Sequence, residues 1–126
     1  MIYSGIEKRR YQRYSFDISI HISGIDRQGN LLEEDTYTYD ISQSGIRFIS
    51  TCDFDPEKEL TVTIHLLHAL GEDVKPGDWV TKARIIRVGK ITKTDSGQLK
   101  NQELCLNFNF PLGVTPSEDP WKQSVD

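Results

Sequence analysis

The sequence lacks the features that mark secreted and membrane-spanning small proteins. It has only two cysteines, Cys52 and Cys105, too few for a disulfide framework, so free thiols in a reducing compartment are expected. No run approaches the roughly 18 apolar residues of a membrane helix. The first seven residues contain no apolar core of the kind that a secretory signal needs. These absences predict a cytoplasmic protein that does not insert into a membrane.

Recognisable catalytic and metal-binding patterns are also missing. His65 and His68 are three residues apart and would point to opposite faces of a strand, whereas a zinc site needs three or four converging ligands. Ser42, His21 and Asp40 come without the elbow and oxyanion-hole signals of a hydrolase. There is no glycine-rich phosphate loop. The sequence therefore predicts neither an enzyme nor a metal site, and no cofactor.

Basic charge is scarce. The chain has 15 Lys and Arg against 19 Asp and Glu, a formal net charge of −4 at pH 7. Proteins that coat DNA or RNA need a broad basic surface, so neither nucleic acid is expected as a partner. A single-strand binder could stack bases on Tyr11, Tyr14, Tyr37 and Tyr39, but the acidic total counts against this alternative. A small anion held at one local basic cluster stays compatible with these totals.

The chain has instead a repeated alternation of apolar and polar residues, the period of half-buried strands. The alternation runs through residues 16–22, 36–41, 46–48, 60–66, 80–88 and 104–110. Turn-forming Gly, Pro, Asp, Asn and Ser separate these runs. Six or seven short strands with close turns predict one all-β domain with little or no helix, a small antiparallel barrel or sandwich.

The ends of the chain lack this alternation. Residues 1–15 are expected to be a flexible, arginine-rich segment, residues 16–112 the β domain, and residues 113–126 an irregular tail. Trp79 is placed just before a strand rather than inside it, and packing at an edge or in the core is expected for its ring.

A basic cluster precedes the first strand. Four cations, Lys8, Arg9, Arg10 and Arg13, fall within six residues of an otherwise acidic chain. The planar arginine side chain suits a paired grip on phosphate oxygens or on the O6/N7 edge of guanine, and it stacks on flat rings. The alternative is a solvated charge run that improves solubility.

A polar cluster ends one strand. Asp40 and Ser42 are two residues apart and so share one face, and Gly45 permits a positive φ or a close backbone approach. A carboxylate can accept paired hydrogen bonds from guanine N1 and N2, and a hydroxyl can donate or accept nearby. The alternative is an ordinary hairpin turn, where the same residue types are favoured.

In order, Arg9-x-x-x-Arg13 and Asp40-x-Ser42-x-x-Gly45 resemble the paired motif of PilZ domains, RxxxR followed by [D/N]xSxxG. Chance alone would give roughly 0.03 matches to DxSxxG in a chain of this length, so the second motif is the more specific. The resemblance covers roughly residues 7–110. It implies a six-stranded antiparallel β-barrel that binds the bacterial messenger cyclic di-GMP at its outer rim.

The resemblance also implies which residues touch the ligand. Arg9 and Arg13 would contact phosphates and guanine edges, and Arg10 would add positive field and a further contact that the motif does not require. The guanine site would be lined by Asp40, Ser42 and Gly45. The expected protein is a bacterial, stand-alone receptor in which the ligand orders the N-terminal segment and so changes the surface seen by an unidentified effector protein. The alternative is a PilZ-like interaction module that does not bind the nucleotide.

Two departures from the family pattern bear on the site. Cys105 stands where the family usually has a glycine in its closing strand, which puts in doubt any ligand contact made by that strand. The C-terminal helix that many members carry is not indicated by the tail. The sequence leaves open whether one or two ligand molecules bind.

Overall fold

The computed structural model describes residues 14, 17–70 and 74–113, and their six strands close into one antiparallel barrel. The strands are β1 (Ile18–Ile25), β2 (Leu31–Ile41), β3 (Gly45–Ser50), β4 (Leu60–Leu66), β5 (Gly77–Lys93) and β6 (Leu99–Phe108). Their order around the barrel is β1-β2-β3-β6-β5-β4. The prediction of a six-stranded antiparallel barrel is confirmed, and the described residues form no helix.

The barrel interior is filled mainly by every second residue of the strands, and Phe54 is added from the segment between β3 and β4. On β1 and β4 the alternation is regular, and the apolar member of each pair points inward. The larger side chains that are fully buried include Ile20, Ile22, Phe48, Phe54, Leu60, Ile64, Leu104 and Leu106. Each such side chain contributes about 1.5–3 kcal/mol through burial, so this interior stabilises the barrel wall on which the polar residues are displayed.

The β1–β2 turn shows how local chemistry joins the strands. The Asp26 carboxylate accepts hydrogen bonds from the backbone N–H groups of Gln28 and Asn30, both at 2.9 Å. Gly29 adopts a φ of +88°, a conformation that favours glycine. The hydrogen bond from the Asn30 backbone is the main cause that holds the pKa of Asp26 below its usual value. The turn residues predicted from the sequence therefore close the turn through side-chain hydrogen bonds to the local backbone, as expected.

Strand β5 is longer than its sequence pattern indicates. It runs for 17 residues and takes up register shifts between Ile85 and Arg87 and again between Val88 and Ile91. Trp79 lies inside this strand, paired with Ile64 of β4, so the prediction that it precedes the strand is wrong. The ring packs against the barrel core, as expected.

The outer surface of β1 carries a histidine between two carboxylates of β2. In its protonated form, His21 donates from Nδ1 to Asp35 Oδ1 over 2.7 Å and from Nε2 to Glu33 Oε1 over 3.0 Å. The hydrogen bond to Asp35 is the main cause that raises the pKa of His21 above 6.5, although desolvation opposes it. The folded protein therefore holds this proton more tightly than the unfolded chain does.

We expect His21 to make stability depend on pH. Because its folded pKa is raised, the stabilisation is fully present below the unfolded value of about 6.5 and is lost as pH rises through the folded pKa. The difference in unfolding free energy between wild type and His21→Asn should therefore shrink between about pH 6 and pH 8. Urea unfolding at several pH values measures it. The exposed His68 provides the control through His68→Asn, and a pH-independent difference for His21→Asn would contradict the assignment.

Candidate ligand-binding site

The turn between β2 and β3 brings three of the predicted site residues together at one end of the barrel. Asp40 and Ser42 are both buried at 6% exposure, and Gly45 begins β3. The turn is closed by a 2.9 Å bond from the Ser42 N–H to the Gly45 carbonyl. The Ser42 hydroxyl accepts from the Ser44 N–H at 3.2 Å and lies 3.1 Å from the Ser44 hydroxyl. The polar cluster read from the sequence is therefore one ordered unit.

An extra residue in β2 sets the direction of Asp40. Thr38 pairs with Phe48 and Asp40 pairs with Arg47, so Tyr39 is the additional residue of a β-bulge. The bulge interrupts the alternation of residues 36–41. Thr38 and Asp40 are buried, whereas Tyr37 is exposed. Because of the bulge, Ile41 rather than Asp40 faces the core, and Asp40 lies on the same face as Arg47, which partly covers it.

The Asp40 carboxylate is held by an arginine that the sequence interpretation did not include in the site. Arg47 donates from Nη2 to Asp40 Oδ2 over 2.8 Å, and the aspartate side chain is 8% exposed. The same guanidinium lies 5.3 Å from the centre of the Tyr39 ring, within the range of a cation–π contact. Arg47 is two residues after Gly45 and shares its outward face, which is the sequence signal that could have identified it.

Strands β6 and β5 extend this outer surface. Cys105 of β6 pairs with Arg47 of β3 on one side and with Arg87 of β5 on the other. Adjacent strands are about 4.8 Å apart, so the two arginine backbones stand roughly 10 Å from each other across the cysteine. The Tyr39 hydroxyl donates to Glu103, which precedes Cys105 by two residues on the same face. The wall beside the turn therefore offers two cations, although Cys105 places a thiol between them.

Gly45 is required by a close approach of two backbones. A Cβ atom at this position would stand 2.2 Å from the Leu106 carbonyl oxygen of β6. Its φ is not positive. Of the two reasons predicted for this glycine, the close backbone approach is the one observed. Gly45 therefore keeps β3 and β6 in register beside the turn.

A residue before β1 and a residue after β6 both contact the β2–β3 turn. Tyr14 exchanges two backbone hydrogen bonds with Ile41, from the Tyr14 N–H at 2.7 Å and to the Tyr14 carbonyl at 2.9 Å. The Leu112 N–H donates to the Gln43 carbonyl at 2.7 Å. The turn is thus supported on both sides. Three predicted ligand contacts, Arg9, Arg10 and Arg13, lie outside the described residues.

Two other features are missing from the part of the chain that the structure describes. Across residues 14, 17–70 and 74–113, no three or more His, Cys, Asp or Glu side chains come close enough to hold a metal ion. Within those ranges there is also no helix with the length and hydropathy needed to cross a membrane.

Comparisons with known proteins agree with the barrel fold. The family model described as PilZ domain matches residues 7–116. No curated protein sequence matches the chain. The inhibitor of motility MotI/DgrA of Bacillus subtilis is 18% identical with a TM-score of 0.53, and the match covers 94% of this chain and 46% of that one. The PilZ domain of YcgR from Escherichia coli, solved with c-di-GMP, is 16% identical with a TM-score of 0.49, over 94% and 88%.

At 18% identity the likeness to the Bacillus subtilis protein shows the fold alone. The chain spans about half the length of the Bacillus subtilis protein.

Proposed function

The chain belongs to the PilZ domain family, and from that membership we propose that it is a receptor for cyclic di-GMP rather than an enzyme. One observation carries the proposal. Tyr14, the neighbour of Arg13 in the chain, is hydrogen-bonded to Ile41, the neighbour of Asp40. The residue that follows the RxxxR motif is therefore held beside the start of the DxSxxG motif, which supports the proposal that both motifs bind one ligand.

The proposed ligand carries two phosphates and two guanines. Arg9 and Arg13 contact phosphate oxygens and guanine edges, with Arg10 adding positive charge. The Asp40 carboxylate accepts from guanine N1 and N2, and Ser42 lies beside it. The burial of Asp40 supports this role, because a hydrogen bond to a carboxylate is stronger where water competes less.

We add Arg47 to this site as a positioning residue. Its bond to Asp40 Oδ2 and its contact with the Tyr39 ring fix the carboxylate in one orientation before the ligand arrives. A preorganised acceptor does not have to be ordered on binding, which favours affinity. The direction of the carboxylate thus depends on β3 as well as on β2.

The signal would pass to a second protein. Contacts from Arg9 and Arg13 to the ligand would tie the N-terminal segment to the barrel and change the surface that an effector protein meets. Signalling through an effector protein, stand-alone action and a cytoplasmic location stay predictions.

The alternative function is a PilZ-like interaction module that does not bind the nucleotide. It is favoured by Cys105, whose side chain occupies the outer face of β6 between Arg47 and Arg87, where the family usually has a glycine.

Calorimetric titration with cyclic di-GMP tests the proposal. We expect saturable binding by the wild-type protein, no binding of GMP, and loss of binding in Arg13→Ala, because that change removes a charged contact to the ligand. Arg27→Ala is the matched control, since Arg27 is an exposed arginine in the β1–β2 turn at the other end of the barrel. Flat heats for the wild type, together with an unchanged melting temperature at high ligand, would favour the interaction module instead.

A further inference from the structure

Two strands carry outward rows of side chains with matching patterns. Four successive outward residues of β2 are Leu31, Glu33, Asp35 and Tyr37, which we name the acidic row. Four successive outward residues of β5 are Val80, Lys82, Arg84 and Ile86, which we name the basic row, and the outward Asp78 that precedes them is bonded to His65 of β4. All eight are exposed, and the four apolar side chains are 64% to 68% exposed. Along each row the residues are apolar, charged, charged and apolar. The two charged residues are negative in the acidic row and positive in the basic row.

The two rows face opposite directions. In the ring order β1-β2-β3-β6-β5-β4, strands β2 and β5 are three places apart whichever way the barrel is followed. One molecule therefore cannot bring its own rows together, whereas two molecules can. The positive charge of the basic row is a local property of β5, because the chain as a whole has a net charge of −4.

We propose that the acidic row of one copy docks face to face on the basic row of a second copy. Each row reads the same from either end, so the charges meet opposite charges and the apolar residues meet apolar residues in both strand orientations. Stacked sheet faces lie about 10 Å apart, which lets side chains from the two rows interdigitate. Charge complementarity then selects the partner face, and the apolar ends supply burial.

Contacts within each molecule hold the charged residues near these positions. Glu33 and Asp35 are both bonded to His21 of the adjacent β1. Lys82 donates from Nζ to Thr61 Oγ1 of the adjacent β4 over 2.8 Å. Side chains that are already restrained lose less freedom on association, so these bonds favour docking.

The contact joins two different surfaces, so it adds copies head to tail rather than closing a symmetric pair. Every added copy uses one of its rows and leaves the other free, so a chain of copies always ends in one acidic row and one basic row. Four residues on each side make a small interface, of the size that supports weak and reversible association. We therefore expect assembly in the range of about 0.1–1 mM, growing with concentration.

Sedimentation velocity without nucleotide tests this proposal, so its outcome does not depend on the ligand site. The wild-type protein should grow in mean mass between about 10 μM and about 1 mM at low salt. The growth should be lost at about 0.5 M salt, where charge attraction is screened. A wild-type protein that stays monomeric over the whole range at low salt overturns the proposal.

Charge reversal identifies the surfaces. Lys82→Glu/Arg84→Glu and Glu33→Lys/Asp35→Lys should each stay monomeric alone, because each carries two rows of the same sign. An equimolar mixture should associate, since every contact between unlike molecules again joins opposite charges. Lys90→Glu/Lys93→Glu changes exposed lysines of β5 outside the basic row and should assemble like the wild type. Association of either reversed variant alone, or a monomeric mixture of folded variants, overturns the proposal.

A second pair of variants tests the same contact through its apolar ends. Tyr37→Ser and Ile86→Ser change no charge and should each weaken association severalfold at low salt, because each removes exposed apolar surface that the contact would bury. Matching melting curves establish that the variants are folded. Unchanged association in both would contradict docking through these rows.

Discussion

Replacing Asp40 with asparagine is expected to weaken binding of cyclic di-GMP by about thirtyfold to a thousandfold, which corresponds to about 2–4 kcal/mol. The carboxylate offers two acceptor oxygens, whereas the amide offers one oxygen and one NH₂ donor. If the NH₂ group faces guanine, donor meets donor. If it faces Arg47, the charge-assisted bond to the guanidinium is lost and the acceptor is no longer held in place. Either orientation lowers affinity.

Calorimetry on Asp40→Asn measures this effect, after its melting curve has established that the variant is folded. Asp95→Asn is the matched control, since Asp95 is exposed in the β5–β6 turn, away from the β2–β3 turn. We expect the control to bind like the wild type. An affinity for Asp40→Asn within about threefold of the wild type, less than about 0.7 kcal/mol, would remove Asp40 from the proposed site.

Gly45→Ala is expected to destabilise the barrel by about 1–3 kcal/mol or more, the usual cost of inserting a methyl group where there is no space. The added Cβ would stand 2.2 Å from the Leu106 carbonyl oxygen, which belongs to the β6 backbone. A backbone atom in a closed barrel cannot move aside alone, so the β3–β6 pairing must widen. We expect the melting temperature to fall by about 5–15 °C.

Gly89→Ala is the matched control for this substitution. Its Cβ would also meet an atom at 2.2 Å, but that atom is Oε1 at the end of the flexible Glu103 side chain, which can turn away. Calorimetric or circular-dichroism melting of both variants compares a backbone obstacle with a side-chain obstacle. Equal losses of stability in the two variants would show that the close approach of β3 and β6 is not what requires Gly45.

Much of the fold can be predicted from the alternation of apolar and polar residues in the sequence. The alternation in β1 and β4 predicts which side chains fill the barrel, because both strands run without a bulge along their paired length. Asp40, Ser42 and Gly45 could be placed together from spacing alone, because a tight turn leaves few arrangements for six consecutive residues.

The remaining features depend on register between strands, which spacing along one strand does not define. The bulge at Tyr39 appears only when β2 is paired with β3, and it changes which residues of β2 are buried. The contact from Arg47 to Asp40 depends on the same pairing. The sequence pattern underestimates the length of strand β5 for a related reason. Its irregularities, first between Ile85 and Arg87, interrupt the simple alternation while the pairing with β6 continues.

Closure of the sheet limits how another protein can recognise this domain. Each of the six strands pairs with two neighbours, but not along its whole length. Strand β5 pairs with β4 through residues 77–83 and with β6 through residues 83–93, so among the described residues each half of β5 is paired along one edge only. Where both edges of a strand are paired, a partner cannot extend the sheet by adding a strand of its own, the mode in which main-chain bonds supply affinity with little regard to sequence. Over that part of the wall, recognition has to pass through side chains on the outer faces. A few surface substitutions could thus redirect the choice of partner while leaving the barrel interior, and the stability it provides, unchanged.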